Sequence, residues 1–77
     1  MYKGSIKIDG KEIKVNGVEA IDKGVDTYFN GKAEEEVKEG SKGELHLVQE
    51  EGGEGNLVIK NVLITKGGKA FEGYGQE

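Results

Sequence analysis

Residues 2–15 read YKGSIKIDGKEIKV, two alternating runs on either side of an Asp-Gly dipeptide. Apolar side chains recur at every second position, which is the period of a β-strand with one buried face. Asp9-Gly10 can supply the positive φ angles that a two-residue hairpin loop requires. Such a loop places Ile6 opposite Ile13 on one face of the sheet. The stretch therefore predicts an antiparallel β-hairpin, and with it an all-β fold.

Two Asn-Gly dipeptides carry the same hairpin signal further along the chain. Asn16-Gly17 predicts a turn that pairs Val15 with Val18 and starts a third strand. Asn30-Gly31 is predicted to end a fourth short strand over residues 25–29. The hairpin is thereby extended into an antiparallel meander.

Residues 32–39, KAEEEVKE, are ambiguous. They favour helix by propensity, and Gly40 follows them as a helix-ending residue would. Only Ala33 and Val37 are apolar, so a helix here would need tertiary support. We predict a solvated loop or one short helical turn, with the glutamates facing solvent.

The second half of the chain repeats the strand signal. Residues 44–50 alternate, with His46 predicted on the face opposite the neighbouring leucines. A glycine-rich loop at 51–55 leads into residues 57–66, the most apolar segment, which carries hydrophobic side chains on both faces. A strand of that kind is typical of the middle of a sandwich or of a subunit interface.

The end of the chain supplies the last predicted turn. Gly67-Gly68 is expected to place Ile64 opposite Phe71, and residues 73–77 are expected to fray. Residues 1–77 are thus predicted to form a single domain, a small antiparallel β-sandwich or barrel of about seven short strands. The core of such a chain is thin, and no cysteine is present to form disulfides. Association with further copies of the chain is the remaining common source of stability.

The charge balance limits the classes of partner. The chain has 11 basic residues, all lysine, against 15 acids, for a net charge of −4. Arginine is absent, and an acidic chain lacks the broad basic surface typical of nucleic-acid binders. No apolar run approaches the about 18 residues of a membrane helix, and no basic start precedes a hydrophobic segment. We therefore expect a cytoplasmic protein without membrane contact.

Residues able to carry chemistry are few. His46 is the single histidine and has no cysteine partner, so it predicts neither a metal site nor an oriented catalytic group. Asp22 and Asp26 lie on either side of Gly24, but the further oxygen ligands of a calcium loop are missing. The sequence predicts a non-enzymatic protein with no cofactor and no metal.

A longer similarity begins at residues 24–29, GVDTYF, and resumes at residues 42–44, KGE, followed by Gln49 and then Ile59-Lys60. In this order the segments resemble the bacterial tryptophan RNA-binding attenuation protein family. That family has G-x-D-T-x-F and K-G-E segments at comparable points, with a glutamine and an Ile-Lys pair beyond them. The resemblance covers most of residues 17–65.

The resemblance implies an antiparallel sandwich that assembles into a closed ring by continuing its sheets from one subunit to the next. It also implies a small ligand, such as an amino acid, bound between neighbouring subunits, and RNA bound at the rim. The residues nearest the implied ligand cleft are Asp22, Gly24, Asp26, Thr27 and Gln49. Lys60 corresponds to an RNA-contacting position, but the family's arginine falls on Val62. RNA binding is therefore the weaker expectation.

Residues 4–10 and 43–47 also resemble fragments of bacteriophage tail-tube proteins. That similarity implies an oligomeric structural or accessory protein without a small-molecule site. Net negative charge and the glutamate-rich segment leave a third hypothesis, an inhibitor that mimics nucleic acid and blocks a basic partner. The sequence does not choose among these hypotheses.

Overall fold

The computed structural model describes residues 1–77 as six antiparallel β-strands closed into a barrel. No helix is present, and so none is long and apolar enough to cross a membrane. The predicted small all-β antiparallel barrel is confirmed, with six strands where about seven were expected. The strands are β1 (Tyr2–Ile8), β2 (Lys11–Asp22), β3 (Thr27–Val37), β4 (Lys42–Gln49), β5 (Leu57–Lys66) and β6 (Gly68–Gln76).

Two three-stranded meanders, β1–β2–β3 and β4–β5–β6, build the barrel. They are joined side by side, because β1 pairs with β4 and β3 pairs with β6. Every strand is therefore hydrogen-bonded on both sides within one chain. Antiparallel pairing places the β2–β3 loop, the β4–β5 loop and both chain termini at one end, which we call the upper end. The hairpin at Asp9-Gly10 and the connection at residues 38–41 lie at the lower end.

The hairpin around Asp9-Gly10 forms in the predicted register. Asn16-Gly17, by contrast, is not a turn: β2 runs through it as a β-bulge, where the register shifts and Gly17 has a φ of 57°. The bulge adds one residue to the strand, so Val15 and Val18 both point into the core instead of pairing across a turn. A glycine with positive φ serves a bulge as well as it serves a hairpin loop.

β5 carries a second bulge in the other meander. Asn61 has a φ of 52° there, and the pairing with β6 shifts between Lys60 and Leu63. After the bulge, inward and outward positions exchange along the strand, so Val62 is buried while Leu63 is 43% exposed on the outside. The prediction of two buried faces for this strand is corrected, because the bulge gathers its core residues onto one face.

Residues 32–37 form neither the predicted solvated loop nor the predicted helical turn, although the glutamates at 34–36 face solvent as expected. The strand that was expected to end at Asn30-Gly31 instead continues to Val37. Lys32 and Ala33 pair with β2, and Lys32 and Val37 pair with β6, with a register shift between the last two. Ala33 and Val37 are buried in the core, so tertiary packing overrides the local helix propensity.

The connection at residues 38–41 crosses the lower end of the barrel and closes it. The Gly40 N–H donates to the Ile64 carbonyl oxygen at 2.8 Å, and the Ile64 N–H donates to the Ser41 carbonyl oxygen at 3.0 Å. Ser41 and the preceding Val37 are both buried. The crossing segment is thus bonded to β5 rather than loose over the barrel.

The end of the chain differs from its prediction in two ways. Ile64 pairs with Gly73 and not with Phe71, because Gly67-Gly68 does not form the predicted two-residue turn: Lys66 pairs with Glu72, and Gly68 pairs with Val37 of β3. The last residues are not frayed: β6 extends to Gln76, which pairs with Lys60 of β5. Barrel closure gives these residues partners that the sequence alone did not reveal.

One cluster of 14 buried hydrophobic residues fills the interior. Phe29 and Phe71 are its largest members, with ring centroids 6.0 Å apart and an interplanar angle of 59°. No buried side-chain nitrogen or oxygen lacks a hydrogen-bond partner. Small barrels are filled by their own side chains, and this one follows that rule. A ligand therefore has to bind on the outside.

Candidate functional site

A cleft of about 370 Å³ opens at the upper end of the barrel, beside the β2–β3 loop. The fold brings four of the five predicted ligand-binding residues together there. The fifth, Gln49, lies at the end of β4 and donates its backbone N–H to the Glu54 carbonyl oxygen, while β1 stands between β4 and β2. Within one subunit the cleft is complete without it. The lining residues are Asp22, Gly24, Val25, Asp26, Thr27, Gln76 and Glu77.

Hydrogen bonds within the β2–β3 loop shape one wall of the cleft. Asp22 Oδ1 accepts from the Gly24 N–H at 2.7 Å, and the Lys23 N–H donates to the Asp26 carbonyl oxygen at 2.8 Å. Gly24 has a φ of 93°, a conformation that a residue with a Cβ adopts only with strain. The spacing that resembled a calcium loop is therefore a tight turn closed by its own aspartate.

Thr27 joins this loop to the last residue of the chain. Its side chain is buried, and its Oγ1 donates to Glu77 Oε2 at 2.7 Å. With Asp22 and Asp26, Glu77 gives the cleft three carboxylates. Ionised carboxylates only accept hydrogen bonds, so the cleft suits a ligand that carries an ammonium group or hydroxyls. No group of three or more His, Cys, Asp or Glu side chains is arranged to hold a metal ion.

Lys60 and His46 lie on the outer surface. Lys60 pairs with Gln76, a cleft residue, and so stands at the edge of the cleft on β5. His46 lies on the outer face of β4, as predicted, with its leucine neighbours buried. Its Nε2 is 3.0 Å from Glu44 Oε1, and both side chains are well exposed. His46 thus forms a surface contact with a carboxylate.

Sequence reasoning missed a row of large side chains on the outside of the barrel, which we call the apolar stripe: Ile21, Tyr28, Tyr74 and Leu63. Each is the cross-strand partner of the next, on β2, β3, β6 and β5. Ile21, Tyr74 and Leu63 are 39%, 41% and 43% exposed, and Tyr28 is half-buried. The two tyrosine ring centroids lie 5.4 Å apart.

Polar side chains border the apolar stripe. On its lower side the same four strands present Glu19, Asn30, Glu72 and Lys66. Asn30 Nδ2 donates to Glu19 Oε1 at 3.2 Å and to the Tyr28 hydroxyl at 3.3 Å. Asn30 thus links a charged residue of the border to a tyrosine of the stripe. The upper side reaches the cleft through Gln76. An apolar centre with a polar border is the anatomy of an interaction surface.

Comparisons of the chain with protein families, with curated proteins and with solved structures gave no match. The resemblance to the tryptophan RNA-binding attenuation protein family therefore stays a prediction. The geometry adds a condition to it, because both edges of every strand are already paired within the chain. A sheet cannot continue from one closed barrel into the next, so subunits of this fold have to meet through their faces.

Proposed function

We propose that this protein is a non-enzymatic, self-associating β-barrel that binds a small ligand, such as an amino acid, in the upper-end cleft. The observation that supports the proposal is that the cleft and the apolar stripe adjoin. Tyr28 follows the cleft residue Thr27 on β3, and Tyr74 lies two positions before Gln76 on β6. A second copy seated on the stripe would place the cleft at the boundary between subunits.

The case for self-association begins with the thin core. A chain of 77 residues buries a smaller share of its surface than a larger domain does. It nevertheless leaves the four apolar-stripe side chains in one contiguous row on the outside. Single exposed apolar residues are ordinary on protein surfaces, whereas contiguous ones with a polar border mark contact sites. Covering the stripe would add apolar burial that the monomer lacks.

The case for the ligand rests on the donors and acceptors of the cleft. Three carboxylates and the Gln76 amide line it, so an ammonium group has several acceptors within one small volume. Val25, which is 88% exposed at the loop tip, offers an apolar contact to a side chain of the ligand. An amino acid carries both features. Lys60 stands at the edge of this acidic cleft, so we do not extend the proposal to RNA.

Calorimetry of the purified protein with a panel of amino acids tests the cleft, and Asp26→Asn is the most direct variant. It removes one negative charge with almost no change in shape, and no hydrogen bond of the Asp26 side chain is lost. For the amino acid that binds best to the wild type, we expect affinity to fall about tenfold, the scale of one charge-assisted hydrogen bond. Thr27→Ala should weaken binding less, because Glu77 remains available.

Two controls separate the cleft from general charge effects. Glu12→Gln makes the same charge change at an exposed site near the lower end, and Gln49→Ala alters the predicted residue that lies outside the cleft. Both should bind as the wild type does. Equal affinity of Asp26→Asn and wild type would reject the cleft. Loss of binding in Gln49→Ala alone would move the site to the β4 side of the barrel.

The apolar stripe also supports a second candidate function, a structural or accessory protein that binds a different protein and no small molecule. The two proposals differ in what a thermal-shift screen and native mass spectrometry should show. A ligand at one hundred times its dissociation constant stabilises by about 2.7 kcal/mol, which raises the Tm of a small domain by about 10 °C or more. A monomer with no such shift for any amino acid would favour the second candidate.

A further inference from the structure

We infer that the apolar stripe is the contact surface of a twofold-symmetric dimer of this chain, in which the two stripes lie against each other in opposite directions. The inference rests on the self-association proposed above and adds the surface, the symmetry and the number of subunits. It is carried by the order of side chains along the stripe and along its lower border.

When the stripe of the partner subunit runs in the opposite direction, the two stripes complement each other. Across β2, β3, β6 and β5 the order is Ile21, Tyr28, Tyr74, Leu63. A twofold axis parallel to the strands, passing between the two tyrosines, reverses this order in the partner. Ile21 then faces Leu63 of the partner subunit, and Tyr28 faces Tyr74 of the partner subunit. Every side chain of the stripe then meets an apolar or aromatic one, and pairs of aromatic side chains stabilise a contact beyond the area that they bury.

The lower border makes the reversed arrangement electrostatically favourable. In the same strand order this row begins with Glu19 and ends with Lys66. Reversal places Glu19 opposite Lys66 of the partner subunit, and symmetry repeats the contact twice per dimer. A twofold axis along the stripe would instead place the lower border against the upper border of the partner subunit, so that Lys66 faces Lys60 of the partner subunit and Glu19 faces Lys23 of the partner subunit. In that alternative the repulsive contact joins two strand residues and the attractive one involves the β2–β3 loop, so it is the less favourable arrangement. The alternative also predicts that Lys66→Glu strengthens dimerisation, because it turns the repulsion by Lys60 of the partner subunit into an attraction.

The upper border is consistent with this assignment and has one unfavourable contact. Reversal places Asp26 opposite Gln76 of the partner subunit, an acceptor facing an amide. It also brings Lys60 towards Lys23 of the partner subunit. Both lysines are exposed, and Lys23 belongs to the β2–β3 loop outside the strands. This repulsion offsets part of the attraction between Glu19 and Lys66 of the partner subunit, since salt screens both contacts alike. It is the weaker of the two because Lys23 lies on a loop, whereas Glu19 and Lys66 both lie on strands.

A surface that matches itself closes an assembly at two subunits. A ring of more subunits needs two different complementary surfaces on each chain, and the outer face has only one row of contiguous exposed apolar side chains. The stripe alone is smaller than the about 800 Å² per partner of a standard interface. We therefore expect a dimer with a dissociation constant in the micromolar range rather than a permanent one.

A charge-swap experiment tests both the surface and the direction. Lys66→Glu and Glu19→Lys are each examined alone and as an equimolar mixture, by sedimentation velocity from about 5 to about 500 µM at low salt. In each variant alone, two attractive contacts per dimer become repulsive, so dimerisation should weaken at least tenfold. In the mixture, the two substituted sites face each other with opposite charges, and the unchanged Glu19 of one variant faces the unchanged Lys66 of the other, so dimers should return to the wild-type level.

Matched controls use the cross-strand pair Lys7 and Glu12 on β1 and β2, away from the stripe. Lys7→Glu and Glu12→Lys make the same charge changes at exposed sites, and neither should alter dimerisation. Far-UV circular dichroism should show that all four variants are folded, because every substituted side chain is exposed.

The outcomes separate this inference from the proposed function. If the wild type dimerises and both stripe variants dimerise equally well, or if their mixture does not regain dimers, the stripe is not the contact surface, although self-association stands. A discrete oligomer larger than two overturns the twofold arrangement. A wild-type monomer at every concentration overturns self-association itself, and the calorimetry of Asp26→Asn then decides the ligand cleft separately. Loss of dimers in each variant with recovery in the mixture supports the inference.

Discussion

Replacing Gly43 with alanine tests the seam where β1 and β4 close the barrel. Gly43 lies on β4 opposite Ile8 of β1. A Cβ at Gly43 would overlap the carbonyl oxygen of Lys7 and lie 2.9 Å from its carbonyl carbon. The obstacle is main chain, so no change of side-chain rotamer relieves it. The two strands have to move apart, and the pairing that joins the two meanders weakens at that point.

The magnitude follows from two contributions. Overpacking a well-packed site typically costs about 1–3 kcal/mol. Separating the strands also weakens neighbouring ladder hydrogen bonds, each worth about 1 kcal/mol net. We expect Gly43→Ala to lower the free energy of unfolding by about 3 kcal/mol. A domain of this length has about 4–12 kcal/mol in total at the usual stability per residue, so the loss is a large fraction of it.

Urea unfolding followed by far-UV circular dichroism measures this loss. With a slope near 1.5 kcal/mol/M, the midpoint should fall by about 2 M. Gly52→Ala is the matched control: Gly52 has a φ of 81° but no atom within 4 Å of its would-be Cβ. It should cost only the roughly 1 kcal/mol of a left-handed alanine. Equal midpoints for the two variants would refute the argument that β1 and β4 pack this closely.

Two smaller effects test other parts of the fold by the same urea assay. Asn61→Val should lower the free energy of unfolding by about 1–2 kcal/mol, because a β-branched residue is strained at the φ of 52° that the β5 bulge requires. Asn61→Gly relaxes the backbone but loses the hydrogen bond to Gln76 Oε1, so its stability should be close to that of the wild type. A valine variant as stable as the glycine variant would argue against the bulge. Lys11→Ala should change stability by less than about 1 kcal/mol, because the contact of 2.7 Å between Lys11 Nζ and Glu35 Oε1 joins side chains that are 62% and 53% exposed. The difference should vanish in about 0.5 M salt, and a larger, salt-resistant difference would contradict this estimate.

The fold class could be predicted because turn chemistry and cross-strand pattern agree in the first hairpin. At Asn16-Gly17 the turn signal is ambiguous, because a two-residue turn and a bulge need the same positive φ. A turn would set Val15 opposite Val18, whereas a bulge points both into the core, and local residues favour neither. Pairing of β2 with β1 and β3 decides the matter, and the partners on β3 lie beyond any local window.

Helix propensity failed at residues 32–39 for the same reason. A segment with few apolar residues becomes a strand because residues near both of its ends pair with β2 and β6, and Ala33 and Val37 pack into the core. The glycine before it was read as a turn residue, but Gly31 is required for packing. A Cβ at Gly31 would lie 2.7 Å from Cγ2 of Val18. Close approach of a core side chain and positive φ are different uses of glycine, and a sequence does not distinguish them.

The candidate cleft was predictable to the extent that it is local. Asp22, Gly24, Asp26 and Thr27 belong to one turn and stay together whatever the rest of the chain does. Gln76 and Glu77 complete the cleft only because β3 pairs with β6, and Gln49 leaves it because β1 separates β4 from β2. The apolar stripe was hidden for the same reason, since its four residues come from four strands in different parts of the sequence.

The bulge at Asn61 connects the core to this outer surface. Without it, continued alternation from Ile59 would turn Leu63 inward and Val62 outward. With it, Val62 is buried and Leu63 stands beside Tyr74 on the outside. One residue with positive φ thus fills the interior and completes the apolar stripe. The second strand of the first meander has the same device at Gly17, so the two meanders reach a filled barrel by the same means. They differ in what the bulge leaves outside: an exposed glutamate follows the first, and a leucine follows the second. Glu19 belongs to the lower border, where Lys66 stands at the opposite end of the row. This border, with a carboxylate at one end and an ammonium group at the other, has the direction on which the reversed, twofold contact is inferred.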